Sequence, residues 1–190
     1  MSTVLYLIGR SGSGKYTIVK HIEKYGFKGV DNHLINNPIF SLLDLSKGKS
    51  IPDFSRKYTA QIRATVFDFI KQETQHNYVL TNELLEDKAH HLVFNQVQQM
   101  AESRDSLFIP VRLHISRDEN IRRIQMPDRM ERLKSIRINE DAYNKPLIQI
   151  NHPNVVNIDI DYLTVEDCAY KIHQSLQQIL TAAEQAIKGG

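Results

Sequence analysis

Residues 4–25 read Val-Leu-Tyr-Leu-Ile-Gly-Arg-Ser-Gly-Ser-Gly-Lys-Tyr-Thr-Ile-Val-Lys-His-Ile-Glu-Lys-Tyr. Val4 to Ile8 is a continuous apolar run, the composition of a parallel strand buried on both faces. From Thr17 onward Ile18, Val19, Ile22 and Tyr25 recur at helical spacing. Between them stand Gly9, Arg10, Ser11, Gly12, Ser13, Gly14 and Lys15, the G-x-x-x-x-G-K spacing of a phosphate-cradling loop. Glycines let successive backbone N–H groups converge on an oxyanion without Cβ clashes, and the helix start adds its dipole. Lys15 sets an ammonium near the terminal phosphates. The expected nucleotide-binding residues are those seven with Tyr16 and Thr17. The alternative is an ordinary glycine-rich βα turn.

One position departs from the pattern. After the lysine the motif calls for Ser or Thr, whose hydroxyl ligates Mg²⁺, and Tyr16 stands there instead. A phenol oxygen lies too far from the backbone to take that place. Thr17 is turned about 100° around the helix and is no simple substitute. Phosphate binding is expected to survive the change; the metal site is in question.

Working outward, Gly29 to Asn32 reads as a second strand, and His33 to Ser46 as a short helix walling a pocket. Lys47 to Pro52 is a turn, and a helix from about Ser55 to Gln75 buries Ile62, Val66, Phe67 and Ile70. Tyr78 to Leu80 is a third strand. Glu86 to Arg104 is a helix with a stripe of Ala89, Leu92, Val93, Val97 and Met100. Leu107 to Ile115 is a fourth strand despite Pro110. Val155 to Ile160 is a fifth strand, and Thr164 with Asp167 forms a capping box for a last helix reaching about Ile187. Strands alternating with helices predict a parallel α/β sheet in one domain, residues 1–190.

The chain has 190 residues and a formal net charge of +2, too balanced to imply nucleic acid. Cys168 is the single cysteine, so no disulfide framework exists, and it is expected in the core. No apolar run approaches the roughly 18 residues of a membrane span. The first strand starts at once, leaving no room for a signal peptide, so a cytoplasmic protein with no membrane partner is expected.

The eight glycines lie at 9, 12, 14, 26, 29, 48, 189 and 190. A GTPase-type Asp-x-x-Gly switch after the third strand is therefore excluded, as is a glycine-rich transporter signature. Asn144-Lys145-Pro146-Leu147 starts like a guanine-reading Asn-Lys-x-Asp, but Leu147 replaces the aspartate. A small kinase needs none of these elements.

The chain resembles the small-molecule kinase branch of P-loop proteins: shikimate, gluconate, nucleoside and nucleotide kinases and chloramphenicol phosphotransferase. Four stretches carry the resemblance: Gly9 to Lys15; Val30-Asp31-Asn32; the basic segment after the fourth strand; and His152-Pro153-Asn154 leading to Ile158-Asp159 and Thr164. Thr81 to Asp87 with Ile109-Pro110-Val111 also resembles uncharacterised bacterial kinase-like ATPases. The resemblance implies a three-layer P-loop NTPase fold with strand order 2-3-1-4-5 and a helical lid at about residues 117–146. It implies an ATP-dependent phosphotransferase using ATP and Mg²⁺ on a small-molecule phosphate acceptor.

In that frame Lys15 and Asp31 are catalytic, Asp31 orienting or deprotonating the acceptor hydroxyl. Asn32, His33 and Asn82 would bind the acceptor, and Arg63 would clamp its anionic group. The bland readings are a solvated turn aspartate and a surface arginine. Glu83 would hold Mg²⁺ through water, or simply start the next helix. Arg129 and then Arg123 are the expected lid arginines neutralising the transferred phosphoryl group; otherwise they decorate a charged solvent-facing helix. Adenine is expected between the base of the lid and Asp161 to Thr164. RNA binding by the basic segment would want interleaved aromatics, which it lacks. The competing reading is a nucleotide-binding regulatory or adaptor protein with weak or no catalysis, which Tyr16 favours.

Overall fold

The computed structural model describes residues 1–44, 51–125 and 143–188. Five parallel strands form one sheet in the order β2-β3-β1-β4-β5. They are β1 (Thr3–Gly9), β2 (Phe27–Val30), β3 (Asn77–Asn82), β4 (Leu107–His114) and β5 (Val156–Asp159). Among the described residues six α-helices flank it: α1 (Lys15–Ile22), α2 (Asn32–Phe40), α3 (Asp53–Gln72), α4 (Lys88–Glu102), α5 (Arg117–Ile124) and α6 (Val165–Lys188). The expected strand order and parallel sheet are what the structure has. The expected turn from Lys47, most of the lid, Arg129, Arg132, Lys134 and Arg137 lie outside the described residues.

β1 is the central strand and is buried along its whole length, as its unbroken apolar run requires. Its side chains alternate between two cores. Leu5 and Leu7 join Ile18, Val19 and Ile22 of α1 and Cys168, Ala169 and Ile172 of α6. Val4, Tyr6 and Ile8 join Phe67 and Ile70 of α3 and Phe94, Val97 and Met100 of α4. The sheet is thus the middle of three layers.

Several boundaries move, for physical reasons. β2 starts two residues earlier than read, at Phe27, because Gly26 in the left-handed region reverses the chain after a 3₁₀ turn at Glu23–Tyr25. The α4 stripe is rotated: Leu92 is 58 % exposed and Ala89 is exposed, while Phe94 and Ala101 are buried. Asp87 caps this helix by accepting the His90 N–H at 3.0 Å, so Glu86 stays outside it. Pro110 is tolerated because β5 pairs with β4 only from Val111 to His114, leaving Pro110 beyond that ladder. The Thr164–Asp167 cap forms as read, with Asp167 N–H donating to Thr164 Oγ1 at 3.1 Å.

Leu7 is fully buried between α1 and α6. Leu7→Ala is expected to lower stability by about 3 kcal/mol through lost transfer energy and an unfilled cavity. Urea unfolding should show a lower midpoint with an unchanged slope.

Candidate functional site

The loop between β1 and α1 is built on two glycines. Gly12 has φ +91° and Gly14 φ +81°, a region that costs a residue with Cβ about 1–2 kcal/mol. At Gly12 space forbids a side chain too: an added Cβ would sit 2.7 Å from Asn120 Nδ2 and 2.7 Å from Ile124 Cγ1. At Gly14 nothing lies within 4 Å of that position, so the loop is open there. The chain curls back through Ser13 N–H to Arg10 carbonyl at 3.1 Å, and Ile18 N–H bonds the Gly14 carbonyl at 3.0 Å to begin α1. Lys15 Nζ crosses the curl, donating to the carbonyls of Gly9 at 2.6 Å and Arg10 at 2.9 Å and to Ser13 Oγ at 3.4 Å. Ser13 is completely buried.

Tyr16 sits in the first turn of α1 at 37 % exposure, with Lys20 Nζ 5.7 Å from its ring centroid. Lys20 is held charged first by its hydrogen bond to Glu23, and Tyr16 and Asp31 add attraction. Asp31 is therefore on the α1 side of the sheet. It is only 5 % exposed, so it is not the solvated turn aspartate of the bland reading. Its Oδ1 accepts the His33 N–H at 2.8 Å and caps α2, while Asn32 N–H donates to Thr81 Oγ1 at 3.2 Å. The ends of β2 and β3 are thereby pinned together.

Asn82 and Arg63 fall on the opposite face. Asn82 is level with Ile8 of β1, whose side chain belongs to the α3–α4 core. Arg63, half-buried on α3, and Asn82 both lie near the Tyr6 hydroxyl. That hydroxyl is buried, does not meet hydrogen-bond geometry with Asn82, and has no partner among the described residues. Burial raises its pKa, with Asn82 and Arg63 opposing the rise. The expected acceptor residues thus form two groups: Asp31, Asn32 and His33 by α1, and Arg63 and Asn82 by α3.

The base of the predicted lid touches the loop directly. Asn120, 1 % exposed, donates from Nδ2 to the Ser11 carbonyl at 2.7 Å. Its Oδ1 accepts the Tyr143 hydroxyl. The guanidinium groups of Arg10 and Arg117 lie over the Tyr143 ring, 5.1 Å and 5.4 Å from its centroid. Arg123, expected as a lid arginine, donates from Nε to Glu119 Oε1 at 2.6 Å and from Nη2 to the Ile160 carbonyl at 2.8 Å. It ties α5 to the end of β5. Arg122 and Arg123 together hold the Glu119 carboxyl down at about 2. Beside them, Tyr162 is 98 % exposed in the loop expected to meet adenine.

Asn120 and Tyr143 were invisible to sequence reading, since neither stands in a motif. Tyr6 carried one signal, a phenol within an otherwise aliphatic strand.

Glu83 is half-buried after β3, its own N–H bonded to Asn82 Oδ1 at 2.9 Å. No group of three His, Cys, Asp or Glu able to hold a metal occurs among the described residues. Mg²⁺ takes oxygen ligands and keeps several waters, so one carboxylate beside a bound polyphosphate suffices. The Asp31 carboxylate, adjacent in sequence to the Asn32 N–H that bonds the Thr81 hydroxyl, is an oxygen donor of that kind.

No family model matches the sequence, and comparison with curated proteins finds no match. Solved structures do match in fold. A gluconokinase from Sinorhizobium meliloti superposes with a TM-score of 0.61 at 16 % identity, covering 97 % of both chains. A sugar kinase from a Janibacter species gives 0.60 at 12 % identity over 93 % of this chain and 95 % of its own. The Mycobacterium tuberculosis APS kinase, solved with AMPPNP and APS, gives 0.55 at 11 % identity over 93 % of this chain and 98 % of its own. The fold is that of the P-loop small-molecule kinases. No helix among the described residues is long and apolar enough to cross a membrane.

Gly12→Ala should disrupt the loop, whereas Gly26→Ala, with a similar φ of +86° but open space around it, should cost only about 1–2 kcal/mol. Chemical denaturation of both variants measures the difference. The Glu119 pKa, depressed from 4.5 to about 2, gives stabilisation that is complete above about pH 4.5 and lost as pH falls through about 2. Glu119→Gln should therefore be less stable than wild type at pH 7, with the gap closing by pH 2 in unfolding measured across that range.

Proposed function

We propose that the chain is an ATP-dependent phosphotransferase acting on a small metabolite that carries a hydroxyl or phosphate group. The observation that carries the reading is the loop from Gly9 to Lys15: left-handed at Gly12 and Gly14, curled around one ammonium, and open beside Gly14. Its position at the end of the central strand and the start of α1 supports the same reading.

In this reading the loop amides and Lys15 bind the β- and γ-phosphates of ATP, and Gly9 to Thr17 form the nucleotide's phosphate site. Mg²⁺, when bound with ATP, supplies charge neutralisation on the phosphate oxygens, and Asp31 would help hold it in place of the missing Ser or Thr. Asp31 also orients the acceptor hydroxyl, its carboxylate fixed by the His33 N–H. Asn32 and His33 line the acceptor from α2, with Arg63 and Asn82 placed for an anionic or polar tail from the α3 side. Adenine lies near α5 and the β5–α6 loop, where the exposed Tyr162 offers an apolar face. The segment at 117–146 acts as a lid whose base is anchored by Asn120 and Arg123, and its arginines, Arg129 among them, neutralise the transferred charge. A cytoplasmic setting suits this chemistry.

The second reading is a nucleotide-binding adaptor without efficient transfer, favoured by Tyr16 at the usual metal-ligand position. Thermal shift with ATP and Mg²⁺ should stabilise the wild type, and Lys15→Ala should abolish that shift. Asn caps a helix as well as Asp does, so Asp31→Asn should fold and keep the shift given by ATP without Mg²⁺, while ADP release over a panel of sugars, sugar acids and nucleosides falls about 10²- to 10⁴-fold. ATP binding with no turnover across the panel, and activity appearing in Tyr16→Thr, would instead support the adaptor.

A further inference from the structure

A second cationic cleft opens on the far side of the loop, toward β4 and β5. It has a volume of about 290 Å³ and is lined by Arg10, Arg112, His114, Ile115, Pro146, Leu147 and Gln149. That is near the lower end of the roughly 300–1,000 Å³ typical of small-ligand sites.

The sheet register explains how the cations gather. Asn82, Ile8, Arg112 and Asn157 share one row across β3, β1, β4 and β5, and His114 stands two residues beyond Arg112 on the same face. Asn157 Oδ1 accepts from Arg112 Nη1 at 3.2 Å and lies 3.2 Å from His114 Nε2, so a single acceptor aligns both side chains. Arg10 enters from above, its Nη2 donating to the Lys145 carbonyl at 2.6 Å. The roof at 146–148 is fastened to the chain after β3: Glu86 N–H donates to the Pro146 carbonyl at 2.9 Å and Ile148 N–H to the Leu84 carbonyl at 3.0 Å.

Two carboxylates come near these cations: Asp159 of β5 is level with His114, and Glu86 acts on Arg112. Glu86 is already engaged, with His91 Nε2 at 2.7 Å and the Gln149 N–H at 2.6 Å. Arg112 Nε is buried and has no hydrogen-bond partner among the described residues. Burial lowers the guanidinium's pKa, and Glu86 only partly opposes this. A half-buried guanidinium with an unmet donor is costly in solvent-poor surroundings, and an oxyanion is the complementary partner.

We infer that this cleft is a second anion site, beside the phosphate loop and sharing Arg10 with it, that binds a phosphate group through Arg112 and His114. The inference does not depend on the nucleotide reading. Inorganic phosphate is the probe, and Lys15→Ala is the background, because the loop itself would bind phosphate. Phosphate should raise the melting temperature of Lys15→Ala saturably. Adding Arg112→Gln should weaken that response by about tenfold or more. Adding His114→Gln should weaken it by a smaller factor, and this half-buried position carries the test if Arg112→Gln does not fold. In wild type saturated with ATP and Mg²⁺, the phosphate response should persist and add to that of ATP.

No saturable response in Lys15→Ala, a response undiminished by either substitution, or a response that ATP abolishes would overturn the site. Glycerol phosphate binding more tightly than inorganic phosphate would point to the phosphate of an organic metabolite. Equal binding would point to free phosphate as the ligand. Either result supports the site. Loss of the ATP response in Lys15→Ala with the phosphate response kept separates this inference from the kinase reading.

Discussion

A single ammonium group holds the loop in the form everything else is built against. Lys15 bridges the Gly9 and Arg10 carbonyls from the first residue of α1, so it joins the end of the central strand to the start of the helix. A longer contact runs to Ser13 Oγ at 3.4 Å. An entering phosphate oxygen would replace this long contact more cheaply than either of the two short carbonyl bonds. The curl can then persist while the ligand changes. This requires the left-handed turns at Gly12 and Gly14, since a residue with Cβ at Gly12 would meet both Asn120 and Ile124.

That same steric fact couples the loop to α5. Asn120 fills the place that a Gly12 side chain would take, and its amide spends both ends, donating to Ser11 and accepting from Tyr143. Residues 109 and 132 positions away in sequence order from the loop thus become part of its wall. Because Asn120 is nearly inaccessible, losing either partner would leave a buried amide group unmet. The loop, the start of α5 and the chain near Tyr143 therefore form one hydrogen-bonded unit. Whatever the segment beyond α5 does, its base is anchored to the phosphate loop and, through Arg123, to the end of β5.

The two faces of the sheet divide the polar chemistry. Asp31 and Thr81 emerge beside α1, whereas Asn82, Arg63, Arg112 and His114 belong to the α3–α4 side or the row continuing from it. Adjacent residues in a strand point to opposite faces, so Thr81 and Asn82 separate although they are neighbours in sequence. Tyr16 lies on the α1 side with Asp31, and both act on the Lys20 ammonium.

Much of this architecture was legible in the chain itself. The apolar run at Val4 to Ile8, the glycine spacing and the alternation of strand and helix patterns each depend on local periodicity, which sequence displays directly. The stripe of α3 and the Thr164 cap were readable for the same reason. The rotated face of α4 was not, because Leu92 and Phe94 are equally apolar and only the packing against Tyr6 and Phe108 selects Phe94. The site divides along the same line. Its loop is written in consecutive residues, but the Asn120–Ser11–Tyr143 clasp and the Arg112–His114–Asn157 cluster join residues far apart in the chain. Such contacts follow from strand order and register, so sequence determined the phosphate loop and the tertiary structure alone decided what surrounds it.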